Sequence, residues 1–160
     1  MIKATIKSSE LTKMFKQLGG NVGDLRPALL KIGGVLEDAS ETAFEREGPG
    51  WKSLKPGTLK RRKKQKKTGK KLQIEGGLVG SVSSQIIGGR TVVIGSNLEY
   101  AAPHQFGAKI RHPGTSKGFG KGIKIPPHII PIPARPYLIV GEAEIRKSIF
   151  ILSKHLLKRV

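Results

Sequence analysis

The sequence lacks cysteine altogether, and it holds few aromatic residues, few acidic residues and no long hydrophobic run. Without cysteine the chain can form neither disulfide bonds nor thiolate metal sites, and it has no cysteine nucleophile. No stretch approaches the roughly 20 apolar residues that a membrane-spanning helix needs, and no signal-peptide pattern follows the first lysine. We therefore expect a protein that folds in a cytoplasm.

The scarcity of acidic residues leaves a strong excess of positive charge. Thirty Lys and Arg residues face 11 Asp and Glu residues, which gives a formal net charge of +19. Such a charge favours a polyanionic neighbour, which could be nucleic acid, an acidic membrane surface or an acidic protein. The main negative patch is expected near the end of a helix, where five acidic residues fall close together: Glu37, Asp38, Glu41, Glu45 and Glu47.

Nine of the cations lie in one segment, from Lys60 to Lys71, which has no acidic and no apolar residue. A segment without apolar residues cannot bury itself, so we predict a flexible basic loop. These nine cations are the candidate contacts to a DNA channel or to another loop partner: Lys60, Arg61, Arg62, Lys63, Lys64, Lys66, Lys67, Lys70 and Lys71.

Periodicity in the first half of the chain predicts helices. A strand is expected over Met1 to Lys7 and a short helix over Leu11 to Leu18. From Leu25 to Phe44, apolar residues recur at helical spacing and predict a helix of about 20 residues, with Asp24 as its N-cap. Gly33-Gly34 in its middle indicates either a closely packed partner or a bend.

The second half predicts strands, loops and a closing helix. Two strands, Ser81 to Ile87 and Thr91 to Ile94, flank a tight turn and predict a hairpin. Gly107 to Lys124, rich in glycine and lysine, predicts a second flexible loop. Ile123 to Ile132 holds three prolines and can form only edge-strand or extended structure. Glu142 to Leu157 predicts the last helix.

These elements predict the fold class and the domain organisation. We expect an α+β protein in which a small antiparallel sheet packs with a long N-terminal helix and a C-terminal helix, with two long flexible basic loops. At 160 residues the chain suits a single domain over residues 1–160.

Catalytic patterns are absent from the sequence. The four histidines never stand three or four residues from one another or from a carboxylate, so a metal site has little support. No Gly-x-Ser-x-Gly elbow is present, and Gly118 to Gly122 lacks both the spacing and the following helix of a phosphate loop. We predict a non-enzyme with no catalytic residue, no metal and no cofactor.

Val92 to Gly107 begins as a β-branched strand and ends in a polar and aromatic cluster. We interpret this cluster as a strand exit in which His104 and Gln105 fix a turn while Tyr100 and Phe106 pack inward. The alternative is a subunit contact, because aromatic residues are favoured at interfaces. Elsewhere, Trp51 is predicted to anchor an irregular segment to the core.

Five motifs in a fixed order resemble those of a known family. They are Trp51-x-x-Leu54-x-Pro56-x-Thr58, Leu78-x-x-Ser81-Val82, Val93-Ile94-Gly95-Ser96, Tyr100-Ala101 with His104-Gln105-Phe106-Gly107, and Ile132-Pro133-Ala134-Arg135-Pro136-Tyr137-Leu138. In this order they resemble the phage virion morphogenesis family, the tail-completion proteins of Mu-type and related tailed phages. The resemblance makes these residues the candidate fold and assembly motif: Trp51, Tyr100, His104, Gln105, Phe106, Gly107, Arg135, Pro136 and Tyr137.

The resemblance implies a structural protein of the virion, at the head–tail neck or tail top, assembled in the host bacterial cytoplasm. It implies a homo-oligomeric ring, with six-fold symmetry favoured and twelve-fold symmetry as the alternative. Its partners would be neighbouring neck or connector proteins, tail-tube proteins and DNA in transit, with no membrane. Two other hypotheses stay open: a sequence-nonspecific nucleic-acid-binding protein, and a phosphate-handling enzyme that depends on His104.

Overall fold

The computed structural model describes residues 4–5, 24–67, 69–74, 77–119 and 123–157. Its longest element is helix α1 (Arg26–Glu45), which matches the predicted 20-residue helix. Its N-cap is Leu25 and not Asp24 as predicted, although the Asp24 carboxylate accepts the backbone N–H of Arg26 at 2.9 Å and so satisfies an amide of the first turn. The predicted helix over Leu11 to Leu18 lies outside the described residues.

Three antiparallel strands form the central sheet in the order β1–β3–β2. They are β1 (Ala4–Thr5), β2 (Val82–Ile87) and β3 (Thr91–Ser96). Strands β2 and β3 form the predicted hairpin, with Ile87 paired to Thr91 beside the turn. Strand β1 pairs with β3 and confirms the N-terminal strand at the two residues described there.

The main hydrophobic core lies between α1, the sheet and the closing helix α5 (Glu142–Leu157). Leu29 and Leu36 of α1, Ile94 of β3 and Leu152 of α5 are all buried in one cluster. Helix α5 has the predicted bounds. The arrangement confirms the α+β class, with a long N-terminal helix and a C-terminal helix packed with a small antiparallel sheet.

The prediction of a flexible loop over Lys60 to Lys71 is wrong for its first part. Helix α2 (Pro56–Lys64) runs through it. Pro56 is tolerated in the first turn, and Lys and Arg are good helix formers whose charges favour the last turn of a helix. High charge excluded burial of this segment, but it did not exclude a solvent-exposed helix.

The prediction of a loop over Gly107 to Lys124 is also wrong. The segment contains β4 (Ala108–His112), β5 (Thr115–Phe119) and β6 (Ile123–Ile125), and β7 (His128–Ile132) follows. Strand β4 pairs with β7 and β5 pairs with β6, both antiparallel. The sequence did not indicate β4 and β5 as strands, because few of their residues are apolar. The two-stranded sheet of β4 and β7 is called the ribbon below, and it confirms the edge structure predicted for Ile123 to Ile132.

The predicted strand exit at His104 and Gln105 is instead a short helix. Helix α4 (Ala101–Phe106) follows β3, and a one-turn helix α3 (Gly77–Gly80) precedes β2. Tyr100 and Phe106 do not pack inward as predicted, because they are 47% and 69% exposed. Ala101, which is fully buried, takes the inward position at the start of α4.

Candidate assembly site

Gln105 joins α4 to the corner at residues 133–138. Its Oε1 accepts the backbone N–H groups of Tyr137 at 2.9 Å and of Leu138 at 3.1 Å. Its Nε2 donates to the Leu138 carbonyl at 3.4 Å. One amide side chain thus satisfies three backbone groups in a segment without regular secondary structure. Gln105 therefore fixes the distant corner, and not the turn at its own strand exit that was predicted.

Three aromatic rings support the corner from inside. Phe44 lies between Trp51 and Tyr137, with ring centroids 5.8 Å and 4.9 Å away. Trp51 Nε1 donates to the Pro136 carbonyl at 2.8 Å, and the Tyr137 hydroxyl donates to the Ala101 carbonyl at 3.3 Å. Burial raises the pKa of Tyr137 to about 12, so this hydroxyl stays protonated as a donor. Trp51 is the anchor that the sequence predicted.

Arg135 is a buried cation that is bound to main-chain oxygen. Its residue is 6% exposed, and its Nε and Nη2 atoms donate to the Lys52 carbonyl at 3.3 Å and 3.1 Å. Its backbone N–H donates to the His104 carbonyl at 2.7 Å. Burial, followed by repulsion from the Arg62 guanidinium, lowers the pKa of Arg135. This side chain holds the segment after Trp51 against the corner.

His104 is a half-buried side chain beside Tyr100 and Arg135. Burial, followed by repulsion from Arg135, lowers the pKa of His104. Its Nδ1 atom is buried without a hydrogen-bond partner, and its ring meets the Tyr100 ring edge-on at 6.3 Å. Within the described residues, no group of three or more His, Asp or Glu side chains could hold a metal ion.

Two glycines allow this corner to close. Gly107 has a φ of +79°, and a Cβ there would come within 3.1 Å of the Ile132 carbonyl oxygen and the Ala134 nitrogen. Gly48 has a φ of +68°, and a Cβ there would overlap the Trp51 indole. Both positions therefore need glycine for backbone conformation and for space.

The nine predicted basic residues differ in their contacts. Lys70 and Lys71 hold the segment to the end of α1, because Lys70 Nζ donates to the Glu45 carbonyl at 2.8 Å and Lys71 Nζ lies 3.5 Å from Glu47 Oε2. Arg62 closes the segment on itself, since its Nη1 donates to the Gly69 carbonyl at 3.0 Å. Hydrogen bonding to the Lys71 backbone, with the charges of Lys71 and Lys70, lowers the pKa of Glu47. Seven of the nine are exposed: Lys60, Arg61, Lys63, Lys64, Lys66, Lys67 and Lys70.

The ribbon was missed by the sequence reasoning, and its two faces differ. Paired residues of antiparallel strands project from the same face. Ile110 and Ile130 are one such pair, and His112 stacks on His128 at 5.0 Å on that face. Lys109 pairs with Pro131 and Arg111 with Ile129 on the other face, where all four are exposed. The alternation of Lys109 and Arg111 with apolar neighbours was the available signal.

A groove between α1 and α5 is the second surface that the sequence reasoning missed. It has a volume of about 450 Å³, and its lining includes Val35, Ala39, Thr42, Ile139 and Lys147. Asp38 is also a lining residue, and Glu41 and Glu45 follow it at helical spacing on the exposed side of α1. The predicted negative patch therefore borders a groove with apolar walls.

Hydrogen bonds and aromatic packing hold the corner, and the ribbon next to it has two exposed faces. Sequence comparison agrees with a role in assembly. A model of the phage virion morphogenesis family matches residues 6–157. The chain belongs to the phage virion morphogenesis family. No solved structure matches the chain significantly.

Two relatives come from Haemophilus influenzae. The Mu-like prophage FluMu G protein 2 is 31% identical over 154 residues, which cover 93% of this chain and 94% of that protein. The Mu-like prophage FluMu G protein 1 is 30% identical over 161 residues, which cover 97% of this chain and 94% of that protein. The family places the chain among the proteins that build the phage particle, in a structural role.

Membership confirms the resemblance that the motifs indicated. The two motifs that contribute most to it, His104 to Gly107 and Pro133 to Leu138, meet at the Gln105 amide. In the part of the chain that the structure describes, no helix is long and apolar enough to cross a membrane.

Proposed function

We propose that this protein is a subunit of a ring at the phage neck or tail top, a tail-completion or head–tail connector component through which DNA passes. The ribbon is the observation that supports this proposal. Over the described ranges of the chain, its strands pair with each other and with no further strand, and both of its faces are exposed, with Ile129 at 61% and Ile110 at 45% exposure. A projecting two-stranded sheet is at best marginally stable alone, and exposed apolar surface of this kind is typical of a protein contact.

Ring formation needs two different surfaces on each subunit, and the chain has both. The ribbon carries cations and no acid, whereas the exposed side of α1 carries Asp38, Glu41 and Glu45. Charge complementarity of this kind orients subunits and disfavours wrong contacts. A ring of six subunits remains the favoured symmetry and twelve the alternative, with neck and tail-tube proteins as neighbours.

The basic helix α2 supports contact with DNA in transit. Lys60, Arg61, Lys63 and Lys64 are exposed on it, and its described residues include no acid. Phosphate contacts from Lys and Arg are independent of base sequence, which suits a channel that every genome segment must cross. The same surface and the net charge of +19 support the second candidate function, a sequence-nonspecific nucleic-acid-binding protein.

The test is to measure the mass of the purified protein by light scattering and sedimentation, alone and with tail-tube and neck proteins, and to image its position in particles. We expect a closed ring, alone or on a partner, and density at the neck or tail top. A strict monomer that joins no virion component and is absent from particles would contradict the proposal. Tight DNA binding by that monomer would favour the second candidate instead.

A further inference from the structure

One face of the ribbon has a charged row beside an apolar row. Lys109 and Arg111 belong to β4, and their cross-strand partners Pro131 and Ile129 belong to β7. Adjacent strands lie roughly 5 Å apart, so the two rows run side by side at that spacing. All four side chains are exposed. The face is therefore amphipathic across its width and not along its length.

The surface along α1 has the same two-row organisation with the opposite charge. Val35 and Ala39 of α1 and Ile139 before α5 give the groove apolar walls. Asp38, Glu41 and Glu45 form a row on the adjoining exposed side of α1, since spacings of three and four residues share a helix face. Among the described residues, none of these three carboxylates forms an ion pair.

The acidic excess lies at the edge of the groove and not inside it. Within the groove, Arg46 and Lys147 balance Asp38 and Glu144, so the lining is close to neutral. Glu144 also accepts the Gly141 backbone N–H at 3.0 Å. Glu41 and Glu45 therefore supply the net negative charge, beside an opening suited to an apolar side chain.

We propose that the ribbon face of Lys109, Arg111, Ile129 and Pro131 binds the α1–α5 groove of a second copy of this chain. Ile129 enters between Val35, Ala39 and Ile139, and the β4 cations lie along the acidic row. This inference rests on the proposed ring function and names the contact that builds the ring. Because the two surfaces differ, each copy can bind one neighbour on either side, and a repeated head-to-tail contact of this kind gives a ring when its rotation closes.

The absence of cysteine makes this contact directly testable by cross-linking. Ile129→Cys and Ala39→Cys are purified separately, mixed and oxidised, so that any disulfide between the two positions joins two different copies. We expect this mixture to give at least tenfold more mixed disulfide dimer than a control mixture of Ala39→Cys with Ile87→Cys. Ile87 is a matched control because it is an exposed isoleucine on β2.

Charge reversal gives an independent measurement on the same protein. Lys109→Glu with Arg111→Glu should weaken self-association at least tenfold in sedimentation velocity, and Asp38→Lys with Glu41→Lys should do the same. All four changes in one chain should restore association, because every contact again joins opposite charges. Circular dichroism identifies any variant that fails to fold, and the cross-linking measurement then decides for that surface.

The outcomes separate this inference from the ring proposal. If wild-type rings form but neither reversal weakens them and the cysteine pair does not link, the ring stands and this contact is wrong. If Ile129→Cys links to another neck protein and not to a second copy, the groove has a different occupant and the inference is overturned. If the wild-type chain is a monomer that joins no particle, the ring proposal and this contact fail together.

Discussion

The Gln105 side chain forms three hydrogen bonds with the backbone of the corner. Its amide satisfies the backbone of Tyr137 and Leu138, about 30 residues away in sequence. A carbonyl oxygen that accepts two N–H groups cannot be replaced by a hydrocarbon without leaving both donors unsatisfied. Hydrogen bonding to the corner therefore accounts for a glutamine at this position.

Gln105→Met tests this role. The substitution keeps the length of the side chain but leaves two partly buried N–H groups without an acceptor, so the free energy of unfolding should fall by about 2–4 kcal/mol. Gln105→Glu keeps both acceptor positions and should lose less than half as much. Gln85→Met, at an exposed position of β2, should change stability by no more than about 0.5 kcal/mol. Urea unfolding measures all three, and equal losses at positions 105 and 85 would rule out this role.

For single residues, the sequence indicated the role of Trp51 but not whether Tyr100 and Phe106 are buried or exposed. Trp51 could be predicted as an anchor because one large ring stands in an otherwise polar segment. Tyr100 and Phe106 were predicted to pack inward from their type alone, yet α4 turns both toward solvent and buries Ala101 instead. A helix of six residues is too short to show a hydrophobic period, so the sequence could not indicate which of its residues face the core.

The pair Gly33-Gly34 shows how two elements meet. The sequence allowed either a close packing partner or a bend in the helix. In the structure a Cβ at Gly33 would overlap the Ser84 side chain of β2, whereas a Cβ at Gly34 would meet open space. The first glycine therefore lets α1 approach the sheet, and the second has no packing role.

Alanine substitutions should separate the two glycines. Gly34→Ala should raise the free energy of unfolding by up to about 1 kcal/mol, because alanine favours a helix more than glycine does. Gly33→Ala gains the same helix propensity but overpacks against Ser84, which costs about 1–3 kcal/mol. Thermal or urea unfolding should thus place Gly33→Ala below Gly34→Ala in stability. The same increase at both positions would mean that α1 and β2 do not pack this closely.

If the exposed cations of helix α2 contact DNA, removing their charges should weaken DNA binding. Replacing its exposed Lys60, Arg61, Lys63 and Lys64 by Gln keeps good helix formers and removes four charges. DNA affinity should fall, and the slope of log affinity against log salt should decrease by up to about 3–4, since each phosphate contact contributes about 0.9. Filter binding or fluorescence anisotropy over a salt series measures both quantities.

The control for α2 removes the same total charge elsewhere. Gln substitutions at four other exposed cations give an equal net charge: Arg26, Lys31, Arg90 and Lys154. This variant should keep most of the salt slope if α2 itself contacts phosphates. An equal decrease in the two variants would show that only net charge matters and that α2 is not a binding surface.

For the molecule as a whole, the sequence predicted the elements of the central core, but of the ribbon it predicted only the edge structure of β7 and neither β4 nor their pairing. Helices α1 and α5 and the β2–β3 hairpin follow regular hydrophobic patterns, because each buries one face. The ribbon buries neither face in this chain, so its residues carry no such pattern. A strand pair whose faces are both exposed leaves a weaker hydrophobic pattern in the sequence than a strand that packs on the core.

Two defective variants in one mixture should reveal how the subunits join. Ala39→Trp fills the groove, and Ile129→Glu replaces the apolar side chain that enters the groove by a charged one. Each variant alone should therefore lose ring formation. Mixed in equal amounts, the intact ribbon of one can bind the intact groove of the other, and the resulting pair has no intact surface left. Sedimentation velocity should therefore show dimers that do not grow. Full rings, or monomers alone, would contradict a contact between two unlike surfaces.

The position of the corner also has a mechanical consequence. The ribbon begins directly after Gly107 and ends directly before Pro133. Just outside these ends, hydrogen bonds join the two flanking chain segments: the His104 carbonyl accepts the Arg135 N–H, and Gln105 accepts the N–H groups of Tyr137 and Leu138. These bonds tie the two flanking segments to each other at the base of the ribbon, so a displacement of one segment carries the other with it. The base is in turn fixed to the core, because Tyr137 packs on Phe44 and the Pro136 carbonyl accepts the Trp51 indole N–H.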